Sequence, residues 1–400
     1  MTGLLKRNSA AVPPLFYLGT LISSVGSSTF TICLIAFMHA AGYSLFASSL
    51  IIGLCRLIPI LSTTLLGQKA DTLPPKLTVV LTEIGAALGS IGILWAWTEG
   101  KSGYTWLAAF SVARAMLLSL QFGGRARIVK QLAEANYKSQ SRHTVWLNQV
   151  TQGAMVFAGM AAWIAIQHFH FEHVILFDGL TFLLNGLILL ALPIGGASSA
   201  QGTTASITKK FRDLYYWNPK AAVLDLILAL MMMGTVSFTS RLAGNDQQWL
   251  SIFMISYGCS VWASGYIERM AWMKDRAAFV WATLGASYIL LGTFPAMGLA
   301  TWTLCFAKDI CYWILFHRIS SYIQHDTPSN VIGSVTNARI AQMVIVLALG
   351  EMAVGGGQSV CPIALDGAWR GIVGLGLAGI LIFRRYGEQQ QEYGYDRPTL

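Results

Sequence analysis

The sequence predicts an all-α integral membrane protein of about twelve transmembrane helices in two six-helix pseudo-repeats. Three observations carry that expectation. The chain is 54% hydrophobic and 11% charged, with mean hydropathy +0.56, too apolar for a soluble protein of this length and too poor in charge to solvate its surface. Its apolar residues fall in windows of about twenty, the length a helix needs to cross a bilayer. Its basic residues gather in alternate connections, so the formal charge of +9 reflects membrane topology under the positive-inside rule and not nucleic-acid binding.

Lys6 and Arg7 precede the first window, 15–38. Nothing in 23–40 offers a small-residue cleavage site, so this is read as a retained span and not a signal peptide. Windows 44–66, 77–98, 104–123, 144–167 and 174–194 complete the first six, and 221–243, 249–267, 277–297, 300–317, 334–355 and 367–384 form the second. Basic groups then separate by side. Lys69 and Lys76, then Arg125, Arg127, Lys130, Lys138 and Arg142, then Lys209, Lys210, Arg212 and Lys220, then Arg269, Lys274 and Arg276 share one side with Lys6, Arg7, Arg384 and Arg385. Lys101 and Arg370 are the main exceptions opposite. Both termini are therefore expected in the cytoplasm.

The expected organisation is an N-terminal bundle over 1–194, a cytoplasmic linker with an amphipathic segment over 195–220, a C-terminal bundle over 221–384 and a tail over 385–400. The linker runs from small residues into Lys209–Lys220, where basic residues mix with Phe211, Tyr215, Tyr216 and Trp217, a composition suited to lying on anionic lipid. An internal repeat supports two related halves. Gly26-Ser27-Ser28-Thr29-Phe30-Thr31 parallels Gly234-Thr235-Val236-Ser237-Phe238-Thr239, Arg127-Ile128 parallels Arg318-Ile319, and Asn148 parallels Asn337. Repeats of this kind place a transporter's site at the midplane, between halves. The six cysteines contain no C-x-x-C pair, so neither a disulfide framework nor a zinc site is indicated.

A charge inside a span is costly and faces a cavity or a partner. Arg56, Glu83, Arg114, Asp178, Asp225, Arg241, Lys308, Asp309, Arg339 and Glu351 meet that description. Arg56, Arg114 and Lys308 are the deepest bases and form a candidate lining for an anionic solute. Glu83 and Asp309 are the deepest acids of the two halves and are the candidate proton-coupling groups. Asp178, Asp225, Arg241, Arg339 and Glu351 lie near window ends, where snorkelling or a helix-end interaction accounts for them. Gln149 and Gln152 are three residues apart, hence on one helix face, and with Ser27 and Thr235 they complete the candidate cavity. His168, His170 and His173 with Glu172 in a turn suit either a divalent metal, an acid sensor or an ordinary polar turn.

The stretch Gly67-Gln68-Lys69-Ala70-Asp71-Thr72-Leu73-Pro74-Pro75-Lys76 resembles the signature between the second and third helices of major facilitator superfamily transporters, Gly-x-x-x-Asp-basic-x-Gly-basic-basic. Gly67, Ala70, Asp71 and Lys76 fit it. The resemblance implies a conformational lock in which Asp71 pairs with a helix end and a basic residue of the same half, here Arg114, with Gly67 and Lys76 shaping the turn. Phe122-Gly123, Arg125-Ala126-Arg127, Glu134-Ala135-Asn136 and Phe177-Asp178-Gly179 are similar to the branch holding the enterobactin exporter and drug exporters. That implies a monomer in a bacterial inner membrane that exports a small amphiphilic anion, a siderophore or drug-like compound, in exchange for protons. The branch's fifth-span glycine-proline signature is reduced to Gly153 and Gly159 without proline, which leaves import of an organic anion open, as well as lipid flipping. No Gly-x-Ser-x-Gly, His-Glu-x-x-His or phosphate-cradling glycine loop occurs, so neither an enzymatic activity nor a cofactor is expected.

Overall fold

A computed structural model describes residues 12–136, 140–193, 207–243, 248–267, 276–294, 298–327, 332–356 and 362–394. The first six long helices are α1 (Val12–Ala40), α2 (Leu45–Thr72), α3 (Pro75–Thr98), α4 (Tyr104–Asn136), α5 (Gln140–His168) and α6 (Phe171–Ala191). A short helix α7 (Ile207–Trp217) leads to α8 (Pro219–Met232) and α9 (Thr235–Ala243), then α10 (Gln248–Ile267), α11 (Ala277–Thr293), α12 (Leu299–Asp326), α13 (Ile332–Gly356) and α14 (Ile363–Gly394). Eight stretches are long and apolar enough to cross a membrane, α8 and α9 counting as one over Pro219–Leu242, and α2, α10 and α11 hold shorter apolar runs. With α13 these make the twelve expected segments.

Local chemistry sets the ends. After α1, Gly42 takes a positive φ of 76°, and the amides of Ala41, Gly42 and Tyr43 return to Phe37, His39 and Met38 at 2.9–3.0 Å, the glycine-terminated helix end that satisfies orphan carbonyls. Ser44 Oγ then accepts from the Ala47 amide at 3.2 Å, capping α2.

The stretch expected as a charged turn over 67–76 is mostly helix. α2 continues through Gly67 and Asp71 to Thr72, and the break is Leu73-Pro74, with Pro75 opening α3. Two consecutive prolines explain this, since a residue before proline is pushed out of the helical region while proline itself suits a first helical turn. Lys76 donates through Nζ to the carbonyls of Leu190 and Leu192 at 2.9 and 2.7 Å, a cation at the carboxyl end of α6. Lys76→Met is expected to cost about 1 kcal/mol, read as a lower melting temperature of the purified protein. An unchanged midpoint would mean that water serves those carbonyls equally well.

The bundles pack as a pseudo-repeat. Within the first, α3 lies on α4 and α6, α1 on α5 and α6, and α2 on α4; within the second, α11 lies on α14 and α12, and α10 on α12. Between them, α2 packs on α13 and α5 on α10. Each bundle thus offers its second segment to the other's fifth. At the α5–α10 seam, Gly258 lets the backbones meet, since a Cβ there would sit 2.6 Å from the Val156 amide nitrogen. The end bearing the α1–α2 and α5–α6 turns is called upper below. There Leu250 of α10 joins the core formed by Phe30, Cys33, Ile51 and Phe171 of the first bundle, with Met254 packed against it.

The seventh segment, a single apolar window in sequence, is broken. α8 stops at Met232 and α9 starts at Thr235, with Gly234 between them at φ +63°. A side chain at Gly234 would be strained by that φ and would strike Val354 of α13.

Candidate functional site

Buried charges organise each bundle. In the first, Glu83 of α3 is wholly buried and receives Arg125 Nη2 of α4 at 3.0 Å, Ser23 Oγ of α1 at 3.2–3.3 Å and Asn185 Nδ2 of α6. Four helices meet on one carboxylate. One layer away, Asp178 of α6, also wholly buried, receives Arg114 Nη2 of α4 at 2.8 Å and Ser90 Oγ of α3 at 3.0 Å. Arg114 donates as well to Ser27 Oγ at 3.2 Å, and its guanidinium lies over the Phe30 and Phe182 rings at 4.3 and 5.0 Å. Arg114, expected as the partner of Asp71 and as a cavity base, is therefore occupied by Asp178; the Asp71 side chain and the surroundings of Gly67 lie outside the described residues.

The second bundle repeats the principle with different positions. Asp225 of α8 pairs with Arg339 of α13 at 2.7–2.8 Å, and Arg339 also reaches Ser320 Oγ and the Phe316 carbonyl of α12. Lys308 and Asp309, neighbours on α12, bond to each other and are both buried. Asp366 of α14 takes Arg370 Nε at 2.9 Å, Trp369 Nε1 at 2.9 Å and, more loosely, Arg241 of α9 at 3.7 Å.

These contacts correct several expectations. Asp178, Asp225, Arg339 and Glu351 do not snorkel at span ends; they are at most 6% exposed. Arg125, expected in a loop, sits on α4 inside the bundle, 6% exposed, because α4 runs thirteen residues beyond the expected end at 123. Arg370, expected in a connection on the opposite side, has no exposed surface. It donates to the Met231 carbonyl at the end of α8 and lies 5.3 Å from the Tyr288 ring centre.

At the upper end the bundles meet through polar groups. Glu351 of α13 accepts from the Ser237 amide and from Ser237 Oγ of α9, both at 2.6 Å. Its other oxygen faces Arg56 Nη1 of α2 at 3.6 Å. Ser49 Oγ of α2 and Ser237 Oγ are 2.7 Å apart. The broken seventh segment is thereby matched in charge at both cut ends: Arg370 stands at the carbonyl end of α8 and Glu351 at the amide end of α9, the arrangement that opposite helix poles favour.

Of the expected cavity residues, Arg56 stands at the α2–α13 seam and Lys308 is buried on α12 against Asp309. The Arg56 side chain is 32% exposed where its acid is fully buried. Gln149 sits instead at the α5–α10 seam, its carbonyl accepting from Trp262 Nε1 at 3.4 Å. Gln152 is half-buried beside it. Thr235 bonds back to Met232 across the break, and Ser27 serves Arg114. At the upper turn, His170 and His173 stack at 6.1 Å, and among the described residues no group of three or more metal-ligating side chains converges there.

This architecture has solved counterparts. A POT family transporter in complex with 5-aminolevulinic acid superposes with TM-score 0.73 at 12% identity, covering 93% of this chain and 95% of that one. A D-xylose–proton symporter gives 0.71 at 11% identity, covering 94% and 97%. The chain has the major facilitator fold. The nucleoside transporter NupG is a third such structure, at TM-score 0.69 and 12% identity over 93% of this chain and 98% of that one. No protein-family model and no curated protein sequence matches the chain. Within this major facilitator fold, α2 against α13 and α5 against α10 form the two seams between bundles, and Arg56, Ser49, Ser237 and Glu351 tie the first of them. Sequence had offered Arg56 as a cavity base, Glu351 as a charge near a window end and Ser237 within the internal repeat; Ser49 escaped, because a lone hydroxyl carries no distinctive local signal.

Proposed function

We propose that the protein is a secondary active transporter that moves a small amphiphilic anion across a bacterial inner membrane by alternating access, coupled to protons and more readily as an exporter. The observation that supports it best is Arg56 of the first bundle, its side chain 32% exposed, facing Glu351 of the second across the α2–α13 seam at 3.6 Å. A basic group held at the interface of two bodies attracts an anion and is re-exposed as those bodies move. Arg114 and Lys308 do not belong to this seam, being committed to Asp178 and Asp309. The solute class we favour is a siderophore or drug-like carboxylate, on the resemblance of Arg125-Ala126-Arg127 and Phe177-Asp178-Gly179 to that exporter branch.

The test compares small molecules in cells and in spent medium, with and without the gene, under iron-replete and iron-starved growth. An exporter leaves its cargo inside the deletion strain and depletes the medium; a compound stranded in the medium while cells starve reverses the direction. Arg56→Ala, inserted at wild-type level, is expected to reproduce most of the deletion phenotype, with a loss of on the order of tenfold or more in transport. Full complementation by that variant would remove Arg56 from the path.

A further inference from the structure

One layer of the first bundle carries more hydrogen-bonding capacity than its protein groups use. Arg114, Gln121, Arg125 and Ile128 of α4 are all buried, and their spacing places them on one helix face, turned into the bundle. The packing of α3 on α4 fixes the level of each. A Cβ on Gly85 of α3 would lie 2.9 Å from Leu117 of α4, and one on Gly124 of α4 would lie 2.6 Å from Val79 of α3. Gln121, between Leu117 and Gly124, is therefore level with Thr82 and Glu83. On α6, a Cβ at Gly186 would stand 3.7 Å from the Glu83 Cβ. Its neighbour Asn185 donates to Glu83 through Nδ2 and turns Oδ1 toward Gly19 of α1.

Three polar atoms of this layer meet no protein partner: Gln121 Nε2, Arg125 Nε and Asn185 Oδ1. Their residues are 2%, 6% and 0% exposed. Arg125 and Asn185 already share the buried Glu83 carboxylate through their other nitrogens. A buried donor left unpaired is costly enough that protein interiors nearly always supply a partner. Arg114 Nε, nearer the upper end, has no acceptor either, but the Phe30 and Phe182 rings cover that guanidinium.

The mixture of groups selects the ligand. Arg125 and Glu83 cancel in charge. An anion would meet the Glu83 carboxylate and the Asn185 carbonyl oxygen, and a cation would meet the Arg125 guanidinium and the Gln121 amide hydrogens. Water alone suits both kinds of group, accepting from Gln121 and Arg125 and donating to Asn185, the set of about three partners usual for a buried water. We infer that the first bundle holds a built internal water site in the Glu83 layer, bounded by Gln121, Arg125 and Asn185. The water completes the junction of α1, α3, α4 and α6 on that carboxylate. The bundle interior is thus hydrated at Glu83 and sealed by aromatic rings at Asp178. The site goes beyond the transport reading and holds whatever the cargo.

Two measurements on the purified full-length protein test it. In a crystal structure fine enough to show other buried waters, density is expected about 2.7–3.2 Å from Gln121 Nε2 and from Arg125 Nε or Asn185 Oδ1. Gln121→Met then gives a sign. Methionine has nearly the volume of glutamine and leaves every described contact of Glu83 in place. If water occupies the layer, the substitution strips it of a partner, and the melting temperature should fall by about 2–4 °C. If the layer is dry, the substitution removes an unpaired buried amide, and the midpoint should rise. An unchanged or raised midpoint overturns the assignment, as does a layer without density. Density with the contacts of an ion overturns it too. A Gln121→Met protein that fails to fold leaves the wild-type density to decide.

Discussion

Replacing Arg114 by alanine is expected to destabilise the folded protein by about 3–5 kcal/mol, the cost of leaving a buried carboxylate without its cation. Asp178 has no exposed surface and would keep only the Ser90 hydroxyl among its described donors. The same substitution removes a guanidinium from the faces of Phe30 and Phe182. Arg114→Met with Asp178→Leu removes both charges and is expected to lose far less, because the penalty lies in the orphaned charge and not in the pair. Thermal unfolding of the single and double variants in detergent distinguishes the cases. A single variant that melts with the wild type would mean that water reaches Asp178 and that the bundle is not dry there.

Gly258→Val is expected to have the second large effect, acting on the contact between bundles and not on either bundle alone. Overpacking a tight site ordinarily costs about 1–3 kcal/mol. Here the obstruction is the Val156 amide nitrogen at 2.6 Å, a backbone atom that cannot rotate away. The α5–α10 seam must widen, so exchange of the α5 and α10 amides is expected to accelerate while the buried pairs around Glu83 and Asp225 hold. Gly376→Ala on α14 is the contrast. Open space surrounds that position, and alanine should stabilise the helix by about 0.5–1 kcal/mol. Equal melting and exchange for the two variants would show that the close backbone approach at Gly258 is not needed.

Much of the fold was legible because the bilayer imposes a length. Twenty apolar residues between charged connections mark a crossing whatever the tertiary structure, and the windows for α1, α3 and α6 fall close to the observed helices. The break at Met233-Gly234 was not legible. Met231, Met232 and Met233 are as apolar as any span, and the interruption is supported from α13 and α14 by Glu351 and Arg370, more than a hundred residues away. Arg370 was misplaced for a related reason. Hydropathy counts Asp366 and Arg370 as two penalties, whereas one turn of helix lets them cancel each other. The deep charges themselves were found; their partners were not. Arg114 and Asp178, or Asp225 and Arg339, are joined by the packing of non-adjacent segments, and one sequence without its fold has no means of pairing them.

The docking of α7 has a consequence for how far the bundles can travel. Leu214 is buried in the core of the second bundle, Tyr215 bonds Gln342 of α13 at 2.8 Å, and Asn218 bonds Thr327 at the end of α12 at 2.7 Å. α7 thus belongs to the second bundle, and the connection between the two bundles shrinks to residues 194–206. Thirteen residues allow a reach of up to about 45 Å when extended. For the motion proposed above, the close contacts to be made and broken therefore lie at the two seams, α2 with α13 and α5 with α10, and not in the chain that joins the bundles.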